Sequence, residues 1–278
     1  MNENIPNIHV GIVGGTQSGK TLYISCLQRF IDNNFDGITF GGADVTSSDW
    51  LKGRTAALNQ GQLPEATSVD KKNDLRFILR DNEERQIEIK ILDRRGGDYQ
   101  EKPDSELIEY LSACTGFIIL VDPLRTLDEQ SGFYRPLFET LSNHLRENNS
   151  HKRKRFSICL TKIDDPVFWS WYLTIEKTVM KIVNEESRAE VVFKAWFRAQ
   201  DNVEDFTKPL GITFGRENIK YHLISSIGFC ETNSETKSTN LANLLSGGET
   251  IVGHLRSGKK YCPVNLYKPL YWAMGGDL

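Results

Sequence analysis

The stretch Gly14 to Thr21, GGTQSGKT, limits the fold of this chain more than any other. It has the spacing G-x-x-x-x-G-K-[ST] and follows the apolar run IHVGIV at residues 8–13. It precedes LYISCLQRFIDNN, whose apolar residues at 22, 24, 27, 30 and 31 are spaced for an amphipathic helix. Strand, glycine loop and helix in that order build a cradle for phosphate. Gly14 and Gly19 permit backbone shapes and a close approach that a side chain would block, so successive N–H groups can wrap an anion. The following helix adds its free N–H groups and the positive end of its dipole. In this arrangement Lys20 reaches the β- and γ-phosphates of a nucleotide and the Thr21 hydroxyl ligates Mg²⁺. The expected contact set is Gly14, Thr16, Gln17, Ser18, Gly19, Lys20, Thr21 and Leu22.

Three later segments bear on which nucleotide is held. DLRFILRDNEERQIEIKILDRRGG, Asp74 to Gly97, has two alternating apolar runs around the polar turn Asp81 to Glu84, which predicts a hairpin. Its second arm ends in Asp93-Arg94-Arg95-Gly96, a D-x-x-G at the tip of an inner strand. A carboxylate there can hold Mg²⁺, usually through water, and the Gly96 N–H can meet a γ-phosphate. GFIILVD at Gly116 to Asp122 reads as a central strand. RFSICLTKID at Arg155 to Asp164 reads as another, ending in Thr161-Lys162-Ile163-Asp164. A carboxylate at that place accepts from both N1–H and the 2-amino group of guanine, whereas adenine has neither donor. Asp164 thus selects guanine, and Lys162 lays its aliphatic stem along the base. A last apolar run, IKYHLISSIG at Ile219 to Gly228, brings Ser225 and Ser226 to a strand end in the right order to touch the base.

With these segments in this order, the chain resembles the P-loop GTPase superfamily over most of residues 8–228. Gly61-Gln62-Leu63-Pro64-Glu65-Ala66-Thr67, a G-x-x-P-x-x-T ahead of the hairpin, resembles the bacterial double-GTPase group, often found with conflict or defence systems. PVNLYKPLYWAMG, Pro263 to Gly275, looks like the C-terminal helix of that group. The resemblance implies that Thr67 is the first-switch threonine, completing a Mg²⁺ shell of Thr21, Thr67 and Asp93 beside bound GTP or GDP. Lys20, Thr67 and Gly96 then carry the catalytic contacts. On residue chemistry alone Thr46, Ser47, Ser48 and Thr55, in the same polar connection, stay open as alternatives to Thr67.

The sequence departs from the small regulatory GTPases after the D-x-x-G. Gly97 and then Asp98 stand where a glutamine commonly positions the attacking water. Slow hydrolysis alone, with a protein partner that supplies an arginine or orders the second switch, is the implied behaviour, since such an arginine adds ~10³ to 10⁵ in rate. Arg94 and Arg95 read as solvated or partner-facing rather than catalytic. The leading expectation is a GTP-hydrolysing molecular switch; the alternatives are a guanine-nucleotide scaffold without turnover and a P-loop ATPase or phosphotransferase.

The alternation of strands and helices predicts a doubly wound, mostly parallel α/β sheet with an antiparallel edge hairpin. Ligands then bind at the carboxyl ends of the strands, where every motif falls. Helices are expected at Ser105 to Ala113 and Leu127 to Glu147, and a long aromatic one from near Val167. Residues 167–215 exceed one crossover helix, so a helical insertion is expected there within a single domain spanning 1–278, with a C-terminal helix about 263–275. Trp169, Trp171, Trp196 and Phe197, at helical spacing in that insertion, read as core, with a partner-binding surface as the alternative. Residues 229–262, rich in Ser, Thr, Asn and Gly, read as a long irregular connection.

Composition narrows the setting. A 39% hydrophobic and 26% charged chain of 278 residues can bury a core. The formal net charge of −3 gives no support to a dedicated nucleic-acid binder, and HKRKR at His151 to Arg155 reads as a solvated loop before a strand. Cys26, Cys114, Cys159, Cys230 and Cys262 are scattered without a Cys-x-x-Cys pair, so reduced thiols are expected. With no basic leader and no run of about 18 apolar residues, the expected location is the cytoplasm, with no membrane span.

Overall fold

The apolar runs become strands of a seven-stranded sheet in a computed structural model. It describes residues 8–15, 17–60, 63, 73–80, 86–93, 105–148, 154–165, 168, 182–183, 185–199, 205–228, 230–231, 239–240 and 263–276. The strands are β1 (His9–Gly14), β2 (Thr39–Gly42), β3 (Asn73–Arg80), β4 (Gln86–Asp93), β5 (Gly116–Val121), β6 (Arg155–Leu160) and β7 (Ile219–Leu223). Their order is β2-β3-β4-β1-β5-β6-β7. β1 pairs in parallel with β4 and β5, and β5, β6 and β7 continue in parallel. β3 is antiparallel to both its neighbours. The expected hairpin is therefore present at the antiparallel side of the sheet, and the short β2 lies one place beyond it. Two-residue strands β8 (Cys230–Glu231) and β9 (Thr239–Asn240) pair with each other in the long connection.

Alternation along each strand divides the core into two layers. Phe117, Ile119 and Val121 of β5 and Phe156, Ile158 and Leu160 of β6 face one side. There they meet α3 (Ser105–Ala113), α4 (Leu127–Glu147), α5 (Glu186–Arg198) and α6 (Lys208–Phe214). Val10 and Ile12 of β1 and Ile118 and Leu120 of β5 face the other. That side packs on α1 (Lys20–Asn34), α2 (Val45–Asn59) and α7 (Tyr267–Ala273). Helices on both faces of a mostly parallel sheet are the doubly wound α/β architecture anticipated above.

Three features were not anticipated or take a definite form. The polar connection holding Thr46, Ser47, Ser48 and Thr55 is the helix α2, capped by Asp44, whose carboxylate accepts from Ser47 N–H at 2.7 Å. That bond holds the Asp44 carboxyl below its ordinary value. Ser47 is buried with its hydroxyl accepting from Arg76 N–H, and the Thr55 hydroxyl donates to Gln28, so these two serve the fold. Within 167–215, α5 and α6 join the core beside α4, with Trp196 buried and its Nε1 donating to the Pro123 carbonyl. Phe197 is buried in the same layer, whereas Trp169 and Trp171 lie outside the described residues. Cys26, Cys114 and Cys159 are free and buried.

Candidate functional site

The phosphate loop joins β1 to α1 as its sequence requires. Gly19 has φ +92 and Gln17 φ 62, so two residues of the loop take left-handed conformations that turn successive N–H groups the same way. A Cβ at Gly14 would collide with the Ser18 hydroxyl, and one at Gly19 would meet no atom within 4 Å. The Ser18 hydroxyl is buried and has no partner among the described residues. An orphaned donor beside an open glycine is what a phosphate cradle leaves before its anion arrives. Lys20, buried, donates from Nζ to the carbonyls of Gly14 at 2.6 Å and Gly15 at 3.1 Å. These bonds hold the ammonium over the mouth of the loop. Thr21 and Leu22 open α1, half-buried, next to it.

Tyr134 of α4 anchors the loop from beneath. Its hydroxyl accepts from Gly15 N–H at 3.3 Å and donates to the Leu120 carbonyl of β5 at 2.5 Å. Burial pushes this phenol well above its ordinary pKa, so it stays a donor. No motif marks Tyr134, because its contribution depends on where α4 crosses the sheet.

The Thr161–Asp164 segment follows β6. The Thr161 hydroxyl donates to the Val121 carbonyl at 3.1 Å and fixes the end of β6 to β5. Lys162, at φ 54, sends its Nζ to Asp122 Oδ2 at 2.6 Å. Asp164 is buried, and its Oδ1 accepts from the Ser225 hydroxyl at 2.5 Å. The same Ser225 oxygen accepts from Gly228 N–H at 2.7 Å. Burial raises the Asp164 carboxyl to about 6, against the Ser225 hydrogen bond, which lowers it. Ser226 is the next residue along, half-buried. The two segments read separately in the sequence are thus joined by a direct hydrogen bond across 61 positions.

A second link, absent from the sequence reading, ties the base segment to the phosphate loop. Asp122, at the end of β5 and buried, takes Lys162 on Oδ2, and the Arg125 Nε lies 3.9 Å from the same oxygen. Arg125 then donates from Nη2 to Gln17 Oε1 at 2.9 Å. Leu124 N–H fills Asp122 Oδ1, and Gln130 Nε2 fills the Asp122 carbonyl. The strand-end aspartate was legible; the arginine three residues on had no signal of its own.

The D-x-x-G is described only in its backbone at Asp93. β4 ends there, two residues past Ile91, which pairs with Ile12 of β1, so the strand rises to the level of Gly14. The Asp93 side chain, Thr16, Thr67, Gly96, Arg94, Arg95, Gly97 and Asp98 lie outside the described residues. The site brings together Gly14, Gln17, Ser18, Gly19, Lys20, Thr21 and Leu22 on one side, and Thr161, Lys162, Asp164, Ser225 and Ser226 on the other. Both groups sit at the carboxyl ends of parallel strands, the usual place for a ligand in such a sheet.

No curated protein matches the sequence. Among solved structures, the GTPase-like domain of Saccharomyces cerevisiae Ski7 bound to GTP is similar at 15% identity and a TM-score of 0.43, over 95% of this chain and 49% of that one. The bacterial selenocysteine-specific elongation factor EF-Sec is similar at 14% identity and 0.34, over 79% of this chain and 25% of that one. LeoA, a bacterial dynamin GTPase from ETEC, is similar at 12% identity and 0.36, over 79% and 30%. This chain thus spans between a quarter and a half of the length of those structures, and likenesses at this distance carry no argument about activity. The family comparison does carry one, because residues 8–206 match the family described as DO-GTPase2, Double-GTPase 2. That match takes in the phosphate loop, the D-x-x-G and the Thr161–Asp164 segment, and the chain belongs to the Double-GTPase 2 family of P-loop GTPases.

Proposed function

We propose that this protein binds GTP and GDP with Mg²⁺, hydrolyses GTP slowly to GDP, and works as a molecular switch read by a protein partner. The observation that carries this reading is the buried Asp164–Ser225 pair, set across from an open phosphate loop in a chain of a GTPase family. A buried carboxylate is costly to keep charged, and the N1–H and 2-amino group of guanine would add to the Ser225 hydroxyl as donors that offset that cost.

In this reading Lys20 and the loop N–H groups hold the β- and γ-phosphates, and negative charge developing on them in the transition state is met by fixed donors. Thr21, Thr67 and Asp93 are the residues that would hold Mg²⁺, which would neutralise part of the phosphate charge. The Gly96 N–H meets the γ-phosphate. Loss of that phosphate on hydrolysis frees the segments around Thr67 and Asp93, and a partner reads the difference. Gly97, in place of a water-positioning glutamine, favours a second reading in which the protein holds guanine nucleotide with negligible turnover.

Equilibrium binding of GTP, GDP and ATP to the wild type and to Lys20→Ala, followed by phosphate release in a single turnover, tests both. Guanine-selective binding lost in the variant, with slow release, supports the switch. Guanine binding without release leaves the scaffold, and equal binding of ATP and GTP overturns the base assignment.

A further inference from the structure

The turn Asp122-Pro123-Leu124-Arg125, between β5 and α4, is tied down from within the core. The buried Gln130 amide donates to the carbonyls of Asp122 at 2.6 Å and Arg125 at 3.3 Å. The buried Trp196 indole donates to the Pro123 carbonyl at 3.3 Å. Leu124 N–H donates to Asp122 Oδ1, and Arg125 N–H donates to the Asp122 carbonyl at 3.2 Å. A buried glutamine and a buried tryptophan both given over to one short turn fix the direction in which the Arg125 side chain leaves it.

That direction is toward the phosphate loop, where Arg125 Nη2 donates to Gln17 Oε1 at 2.9 Å. Gln17 has φ 62, a conformation that glycine adopts freely and a residue with a Cβ resists. The loop already has glycine at 14, 15 and 19, and a glycine at 17 would give the same backbone at lower cost. A glutamine kept there is explained by what its amide reaches. Asp122 decides which partner Arg125 takes. Its Oδ2 accepts from Lys162 at 2.6 Å and stands 3.9 Å from Arg125 Nε, longer than a hydrogen bond. Lys162 thus fills the carboxylate, and Arg125 spends its side-chain hydrogen bond on Gln17. Arginine suits the place because its rigid fork turns Nε to one neighbour and Nη2 to another, which the single ammonium of a lysine does not.

We propose that Arg125 is a positioning residue for the phosphate loop: through Gln17 it holds the loop in the shape that wraps a β-phosphate, and through Asp122 and Lys162 it joins that hold to the Thr161–Asp164 segment. The inference rests on the nucleotide-binding reading above and deepens it, since no nucleotide motif contains Arg125. The Gln17–Arg125 bond is exposed, so its removal changes the stability of the free chain little. Its effect falls on the bound nucleotide, whose phosphates need successive N–H groups already turned the same way. Arg125 acts through Gln17 in this role, not on the reacting atoms.

The full chain is loaded in Mg²⁺ buffer with GDP carrying a fluorescent methylanthraniloyl group. Release is followed by stopped flow in the wild type, Gln17→Gly, Arg125→Ala and the double variant. Gln17→Gly keeps the left-handed turn and removes only the side chain, so a loop that needs backbone shape alone releases GDP no faster than the wild type. The expected result is release about tenfold faster in each single variant and no faster again in the double variant. Melting temperatures of the nucleotide-free chains should stay within about 2 °C of the wild type. A wild-type release rate in Arg125→Ala, or effects that multiply in the double variant, overturns the proposal. So does faster release accompanied by a lower nucleotide-free melting temperature, the mark of a purely structural role. If the wild type holds ADP as firmly as GDP, the base assignment fails alone, and the same chains are compared with labelled ADP. A wild type that holds neither nucleotide ends both readings.

Discussion

Asp164 sits where a carboxylate is least comfortable, buried and accepting from the Ser225 hydroxyl. With its carboxyl raised to about 6, the nucleotide-free protein protonates there before it reaches the ordinary carboxylate range. Guanine needs the charged form, so GDP affinity should fall by about tenfold per pH unit below about 6, measurable as binding isotherms across that range. The folding stability of the free protein moves the other way. A folded pKa above the unfolded value means that protonation stabilises the fold, and the gain accrues as pH falls from about 6 towards 4. Asp164→Ala should cost guanine preference by up to about 100-fold, the worth of charge-assisted hydrogen bonds of about 1.5–3 kcal/mol. Tyr134→Phe keeps the ring and removes the hydroxyl that joins Gly15 to Leu120. The Leu120 carbonyl is then buried without a donor, at about 1–3 kcal/mol of stability, and GDP should leave faster in a stopped-flow release assay.

At the scale of elements, α7 depends on a glycine in the middle of the sheet. A Cβ on Gly116 would run into the Ala273 carbonyl, so Gly116→Ala should push α7 from β5 and destabilise the chain by about 1–3 kcal/mol in urea unfolding. The elements that carry motifs were the most legible in sequence: β1 with its glycine loop, the hairpin β3–β4, and α3 and α4, whose limits match the apolar periods. α2 was not, because its helix lacks a strong apolar stripe and is held by the Asp44 cap and by Ser47 turned inward. Pairings across the chain were not legible either. That Asp164 meets Ser225, or that Arg125 reaches Gln17, depends on register between strands and on how a loop returns, which no local pattern encodes.

For the molecule as a whole, the proposed function makes nucleotide a source of stability. GDP at 100 times its dissociation constant should raise stability by about 2.7 kcal/mol, which for a chain of this size is a melting-point rise of roughly 5–10 °C in calorimetry. Lys20→Ala should melt at the same temperature with and without GDP. The Asp164–Ser225 pair also leans on the segment that enters the last helix. Ser225 exchanges two backbone hydrogen bonds with Val264, Asn265 donates to the Leu223 carbonyl, and Tyr23 of α1 donates to the Leu266 carbonyl at 2.7 Å. A protein made from its N-terminus onward therefore possesses its phosphate loop, and both members of the Asp164–Ser225 pair, well before the piece that clamps them is made. At about 5–20 residues per second, a ribosome needs several seconds to pass from Ser225 to Val264. During that interval the nascent chain has its phosphate loop but an unclamped Asp164–Ser225 pair, and under the proposed function its selectivity for guanine waits for the closing helix to emerge.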